Sequence, residues 1–224
     1  MPKSLLCDND IILKSCCCDL SLEVLICLTR IGVVSVLGAA QYVVASRISR
    51  SSRISDKAAA QENFEVFIMS VQMIEPTDSE VELAAEFESE AQKRNLSLDG
   101  GESILLAAFL YRGASLMLTG DKRAIAAIEM LKAVNASAAK IPQQIACLEQ
   151  LFLSLLQGND FKILQQRVCR EPATDVALSN CFSCKSGKFS QQSIRDGLTS
   201  YVTSVRSIAP STLLSTIDLS AVIA

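Results

Sequence analysis

Apolar and polar positions along this chain change period every ten to twenty residues. "SLLC" (4–7) is an apolar run of strand length, and 11–28 carries apolar side chains at helical spacing. "VVSVLGAAQYVVA" (33–45) begins as a Val-rich strand and passes into a helix. The pattern carries that helix on through "SRISRSSRISDKAAAQENFEVFIMS", so that Arg47, Arg50 and Arg53, spaced by three, share one side and form the chain's one concentrated basic surface. Pro76 and Asp78 mark a break, after which 78–95 reads as a helix with a solvated acidic outer face. In "LSLDGGESILLAAFLYRG" (96–113) a Gly pair leads into an apolar helix. "ASLMLTGDKRAIAAIEMLKAV" (114–134) gives a short strand, a tight Thr119-Gly120-Asp121 turn and an amphipathic helix. Past Pro142 the expectation is a helix over 143–157, a turn at Gly158 and Asn159, further helix to about Arg170, and a Ser-rich remainder.

Strands alternating with helices predict an α/β fold, a three-layer α/β/α arrangement around a central, mostly parallel sheet. The expected division is a domain over 1–157 and a mainly helical C-terminal extension over 158–224, packed on the same domain.

Composition narrows the function classes. With 224 residues and 50% apolar content the chain can bury a generous core. A net charge of -3 excludes coating of nucleic acid by bulk charge, so any such binding needs a local patch. The absence of histidine removes serine–histidine catalysis and most zinc-hydrolase schemes. Nine cysteines, an odd count without secretory features, fit reduced, inert thiols and a cytoplasmic location. Cys16, Cys17 and Cys18 read as small core residues, and Cys181 with Cys184 as half of a metal site or a redox pair for which no further ligand spacing is visible. Asp8 and Asp10 interrupt the N-terminal apolar run before a signal peptide can form, and Glu23, Arg30 and Gln41 divide the apolar stretch 20–46 into pieces shorter than a membrane span.

"LLCDNDIIL" (5–13) sets Asp8 and Asp10 where a strand should be ending. They read either as a helix cap or as paired carboxylates that need a compensating charge, most simply a divalent cation. Asp99 and Glu102 stand at the start of the 100–112 helix, and Asp121 follows "SLML". In an open parallel sheet these junctions gather beyond the C-terminal strand ends, where ligands bind. Clustered carboxylates suit Mg2+ or Mn2+, and such ions hydrolyse phosphodiesters without histidine.

"LLCDNDIIL", "LDGGESILLAAF" and "LMLTGDKRAIAAI", in that order, resemble the motifs of PIN domain nucleases over residues 3–135, continuing through "IACLEQLF" near Glu149. The resemblance implies a PIN-like fold and a metal-dependent endoribonuclease. Asp8, Glu102 and Asp121 would be its metal ligands and Asp10, where many relatives have Asn, would hold or orient the water. Arg47, Arg50, Arg53, Lys122 and Arg123 would hold phosphates of RNA. A protein inhibitor or antitoxin and a homo-oligomer are further candidate partners, and a membrane is not. The family's middle acid is missing from "YVVASRISRSSRIS"; Asp56, Asp99 or Glu149 would substitute, or one metal alone would be held tightly. That gap keeps open an inactive PIN-like interaction module. A phosphatase of the haloacid dehalogenase type, for which "DND" also fits, lacks its later Gly-Asp followed by another acid.

Overall fold

Short apolar runs separated by helix-length segments leave parallel pairing as the available solution, because each return to the same sheet edge needs a crossover of a dozen or more residues. The computed structural model describes residues 3–223, with the side chains of Ala221 and Ile223 left aside; residues 1, 2 and 224 of the two expected segments lie outside it. Strands β1 (Ser4–Cys7), β2 (Val33–Leu37), β3 (Gln72–Ile74), β4 (Leu116–Thr119) and β5 (Ile145–Cys147) form one all-parallel sheet in the order β3-β2-β1-β4-β5. The chain runs outward from β1 through β2 to β3, then jumps back to β4 on the other side of β1. That reversal opens a crevice beyond the C-terminal ends of β1 and β4.

The crossovers are α1 (Asn9–Cys17) and α2 (Ser21–Thr29), α3 (Ala40–Arg50) and α4 (Lys57–Met69), α5 (Asp78–Lys93) and α6 (Gly100–Arg112), and α7 (Lys122–Lys132). Right-handed connection puts α1 to α4 on one face and α5 to α7 on the other, and the helices of each set pack on one another. After β5 come α8 (Leu148–Gly158), α9 (Phe161–Val168), α10 (Val176–Cys181), α11 (Gln191–Ile208) and α12 (Ser220–Ile223). Helix α8 lies against α2, and α11 touches both α7 and α8. The outer edge of β5 is covered, since Leu214 N–H donates to Ile145 O at 2.7 Å and Leu213 bridges Ile145. Buried residues on both sides of 158, such as Leu118, Phe152, Leu198 and Leu213, belong to one continuous core.

Several elements differ from the sequence expectation. The helix expected over 11–28 is two helices, because Asp19 takes the left-handed conformation (φ 53°) that Asp tolerates better than most residues. The helix expected to run unbroken through Arg53 stops at Arg50: Ser51 is extended, its hydroxyl accepts the Arg53 N–H at 3.1 Å, and Asp56 caps α4 through Ala59 N–H at 3.0 Å. Arg53 therefore sits in a turn. Strand β3 was not expected because only Ile74 of its three residues is buried. Strand β5 takes the first residues of the helix expected over 143–157, which begins at Leu148 with Gln150 accepting from Cys147 N–H at 3.1 Å. On the acidic face of α5, Glu80 is buried, not solvated.

The thiols also differ. Cys184 forms a disulfide with Cys169, and the seven other cysteines are buried and free. Ser183, left-handed at φ 53°, turns the chain so that Cys184 meets α9 instead of pairing with Cys181. Burial pushes the Cys181 thiol up to about 12, which leaves it inert. No helix among the described residues is long and apolar enough to cross a membrane.

Candidate active site

Asp8 ends β1 and caps α1. Its Oδ1 accepts the Asn9 N–H at 2.7 Å and its Oδ2 the Thr119 hydroxyl at 3.1 Å, while its own N–H donates to Leu118 O at 2.9 Å. One carboxylate thus ties the ends of the two central strands together. On the β4 side, Thr119 Oγ1 accepts the Asp121 N–H at 3.1 Å, and Asp121 caps α7 by accepting from Arg123 N–H at 2.8 Å and Ala124 N–H at 3.3 Å. Asp99 and Glu102 form a reciprocal capping box on α6: Glu102 N–H donates to Asp99 Oδ1 at 2.8 Å, and Asp99 N–H to Glu102 Oε2 at 2.9 Å. Capping and clustering are therefore not alternatives here. Caps of α1, α6 and α7 are the acids that meet beyond the sheet.

Gly120 lets them meet. A Cβ there would stand 2.0 Å from Asp10 Oδ2 and 3.3 Å from Lys14 Nζ, so any side chain would push Asp10 out of the crevice. Asp8, Asp10, Asp99, Glu102 and Asp121 line one cleft of about 810 Å³, together with Lys14, Arg47, Arg53, Arg123 and Thr174. Among its cations Lys14 is largely buried, while Arg47, Arg53 and Arg123 are exposed.

The charges are unevenly matched. Burial, reinforced by the neighbouring Asp10 charge, pushes Asp8 up to about 6 against the Thr119 and Asn9 hydrogen bonds. Burial likewise raises Glu102 to about 7; the Asp99 N–H opposes this, and the charges of Asp99, Asp121 and Asp8 add to it. For Asp121 burial is outweighed by Arg123 and the two cap N–H groups, which hold it below the ordinary range. Asp121 pairs with Arg123 at 2.9 Å and Asp10 with Lys14 at 2.5 Å, whereas Asp8 and Glu102 have no ion pair among the described residues. These two oxygen donors fit a hard cation in chemistry. As the side chains stand, no group of three or more carboxylates or thiolates among the described residues is placed to hold a metal ion, and the Asp10 position is already taken by an ammonium.

All four candidate acids, Asp8, Asp10, Glu102 and Asp121, thus face the same cleft, as does Asp99. Arg47, Arg53 and Arg123 line it too, and Arg50 lines an adjoining hollow of about 400 Å³ with Arg47 and Arg53. Lys122 is not positioned for a phosphate: it pairs with Glu149, which has no solvent exposure and requires a cation. Glu149 and Asp56, considered as replacements for the missing acid, are accordingly a buried ion-pair partner and a helix cap. Sequence reasoning missed Lys14, although its i,i+4 spacing from Asp10 was readable. It also missed Asp175, which pairs with Lys14 at 2.7 Å, and Glu171, whose buried carboxylate accepts from Ser55 N–H at 2.9 Å and Asp56 N–H at 2.8 Å and so fixes the turn that carries Arg53. No local signal announces either contact.

No family model matches the sequence, and no curated protein matches it. Among solved structures, VapBC2 from Rickettsia felis bound to a DNA fragment from their promoter aligns with a TM-score of 0.43 and 11% identity, over 53% of this chain and 88% of that chain. So loose an overlap carries no weight for function, and the α/β assignment stands on the parallel sheet and its flanking helices.

Proposed function

We propose that this protein is a PIN-like endoribonuclease that hydrolyses RNA phosphodiesters with Mg2+ or Mn2+. The observation that carries the reading is the meeting of five acidic side chains, from three separate chain segments, in one cleft rimmed by arginines at the reversal point of the sheet. Asp8 and Glu102, which with Asp99 are the cleft acids without a protein cation among the described residues, would hold the metal, with Asp121 beside them. A bound divalent ion would supply a water of lowered pKa and a charge against the phosphate. Asp10, paired with Lys14 and close against Gly120, faces the cleft and would hold or orient the attacking water. Arg47 and Arg53 would draw the strand's phosphates to the rim and bring a polyanion to a net-acidic chain.

Labelled single-stranded RNA incubated with Mn2+, with Mg2+ or with chelator tests this reading. Metal-dependent cleavage by the wild type, lost in Asp8→Asn and in Asp121→Asn, is the expected result. A second reading, an interaction module that keeps the fold without the chemistry, draws on the protein partners that Asp10 and Asp121 already have and on the absence of a ready ligand set among the described residues. Retention of RNA without cleavage in either metal selects it.

A further inference from the structure

The Cys169–Cys184 disulfide joins two half-buried residues in a chain whose other seven cysteines are buried and free. A core this continuous does not depend on one covalent link, so the bond acts locally. It closes a loop from the C-terminal end of α9 to just past α10, and the first part of that loop is wall of the cleft. Glu171 accepts from Ser55 N–H at 2.9 Å and from Asp56 N–H at 2.8 Å, Thr174 lines the cleft, and Asp175 pairs with Lys14 at 2.7 Å. The two helices that carry this stretch are anchored separately. On one side Arg167 of α9 pairs with Glu23 of α2 at 2.5 Å. On the other, α10 packs on α11, Phe182 lies buried against Phe152, and Cys181 sits against Gly197. Besides the disulfide, α9 is tied to the end of α10 by a long hydrogen bond, 3.4 Å from the Gln165 amide to Phe182 O. The disulfide therefore fixes the span that residues 170–175 bridge, and with it the placement of Glu171 and Asp175.

We propose that this disulfide is a redox-sensitive staple on the cleft wall: closed, it holds Glu171 on the Arg53 turn and Asp175 on Lys14, and opened by a dithiol it lets both anchors loosen. The reductant's thiolate attacks one sulfur to form a mixed disulfide, and its second thiol displaces that sulfur. The protein gains two thiols, taking two electrons and two protons, and the dithiol becomes a disulfide. Cys181, the nearest other cysteine in sequence, is buried against α11 and does not compete for the bond. The proposal stands apart from the RNA and metal reading, because its contacts lie within the protein.

Thiol titration in denaturant counts seven free cysteines in the air-oxidised full chain, and nine once the folded protein has been treated with dithiothreitol. Hydrogen exchange read by mass spectrometry then compares residues 51–56 and 170–176 with β1 and β4. Reduction should speed exchange at both segments by about tenfold or more, as expected for loss of a hydrogen bond to a charged group. Exchange in β1 and β4 stays as it was, and reoxidation restores the protection. Cys169→Ser combined with Cys184→Ser should match the reduced protein without any dithiol. Nine free thiols in the oxidised sample, or a bond that dithiothreitol opens only in denaturant, overturns the proposal. So does unchanged protection at 51–56 after reduction. Equal loss of protection in β1 and β4 also overturns it, since the bond would then be a general cross-link. If the double variant does not fold, the reduced wild type decides.

Discussion

Lys122 sets its ammonium on the carboxylate of Glu149, which has no solvent exposure, and lies 4.5 Å from the centroid of the Tyr201 ring. The contact joins the first turns of α7 and α8 and roofs them with α11. Neither Glu149 oxygen has a hydrogen bond of good geometry, so the ammonium is the compensating charge. Lys122→Met strands that carboxylate and should lower unfolding free energy by about 3–5 kcal/mol in urea melts. Adding Glu149→Leu should recover most of the loss, because an apolar pair of similar volume has no ion to desolvate. Recovery in the double variant is the deciding result; a double variant no better than Lys122→Met would mean that the contact matters for packing and not for charge.

Glu80 and Arg112 give a pH dependence whose sign is fixed. Arg112 donates from Nε to Oε1 at 2.6 Å and from Nη2 to Oε2 at 2.7 Å, and Oε2 also accepts the Thr77 N–H at 2.8 Å. The Arg112 bonds, working against burial, hold the carboxyl below its ordinary value of 4.5. A depressed carboxyl stabilises the fold at every pH above its unfolded value and loses that contribution as pH falls through its folded one. Glu80→Gln keeps the capping reach but not the charge. It should cost about 1–3 kcal/mol near neutrality, and the deficit should shrink below the ordinary carboxyl value as the wild type is protonated. Thermal melts of the pair across acid pH check this; a deficit that is constant with pH would assign the cost to packing.

Two glycines separate room from need. Gly120→Ala places a Cβ on the Asp10 carboxylate, while Gly158→Ala, in the last turn of α8, meets nothing within 4 Å. Gly120→Ala should lose roughly 1–3 kcal/mol to overpacking and, if the proposed metal reading holds, should blunt the rise in melting temperature expected for the wild type when Mn2+ binds its folded state. Gly158→Ala should gain about 0.4–1 kcal/mol, because the unfolded chain loses freedom and the folded one loses nothing. Melts with and without Mn2+ separate them, and a full metal response in Gly120→Ala would mean that Asp10 can move without consequence for the site.

The parts of the fold that were legible in sequence are those governed by local chemistry. Asp8, Asp99 and Asp121 each sit directly before a helix they cap, and the apolar runs of β1, β2 and β4 are buried nearly throughout. Strand β3 escaped because Gln72 and Met73 lie exposed at a sheet edge, where burial no longer marks the pattern. Ser51 and Asp19 broke two helices that apolar spacing alone ran together, since a single extended or left-handed residue leaves little trace in a periodicity. In the cleft the acids and the nearby Arg123 were readable, whereas the partners from the C-terminal segment were not. The Lys14–Asp175 pair and the Glu171 contacts with Ser55 and Asp56 join residues more than a hundred positions apart, which only the folded chain brings together.

Arg47 and Arg50 end α3, and Arg53 follows in the turn that Glu171 fastens, all three exposed and lining a hollow that they share with Asp10. If they carry RNA phosphates to the site, replacing all three by Gln should weaken binding at low salt and flatten its dependence on salt. A single strand releases about 0.7 counterion per phosphate contact, so three lost contacts should reduce the slope of log K against log salt by about 2. Arg and Gln have similar helix propensities, which leaves α3 intact. The three side chains make none of the ion pairs found in the cleft, so the melting shift with Mn2+ should be unchanged. Filter binding of wild type and triple variant across a salt series reads the slope. Equal slopes would reduce these arginines to a solvated helix end, even where Mn2+-dependent cleavage by the wild type is found.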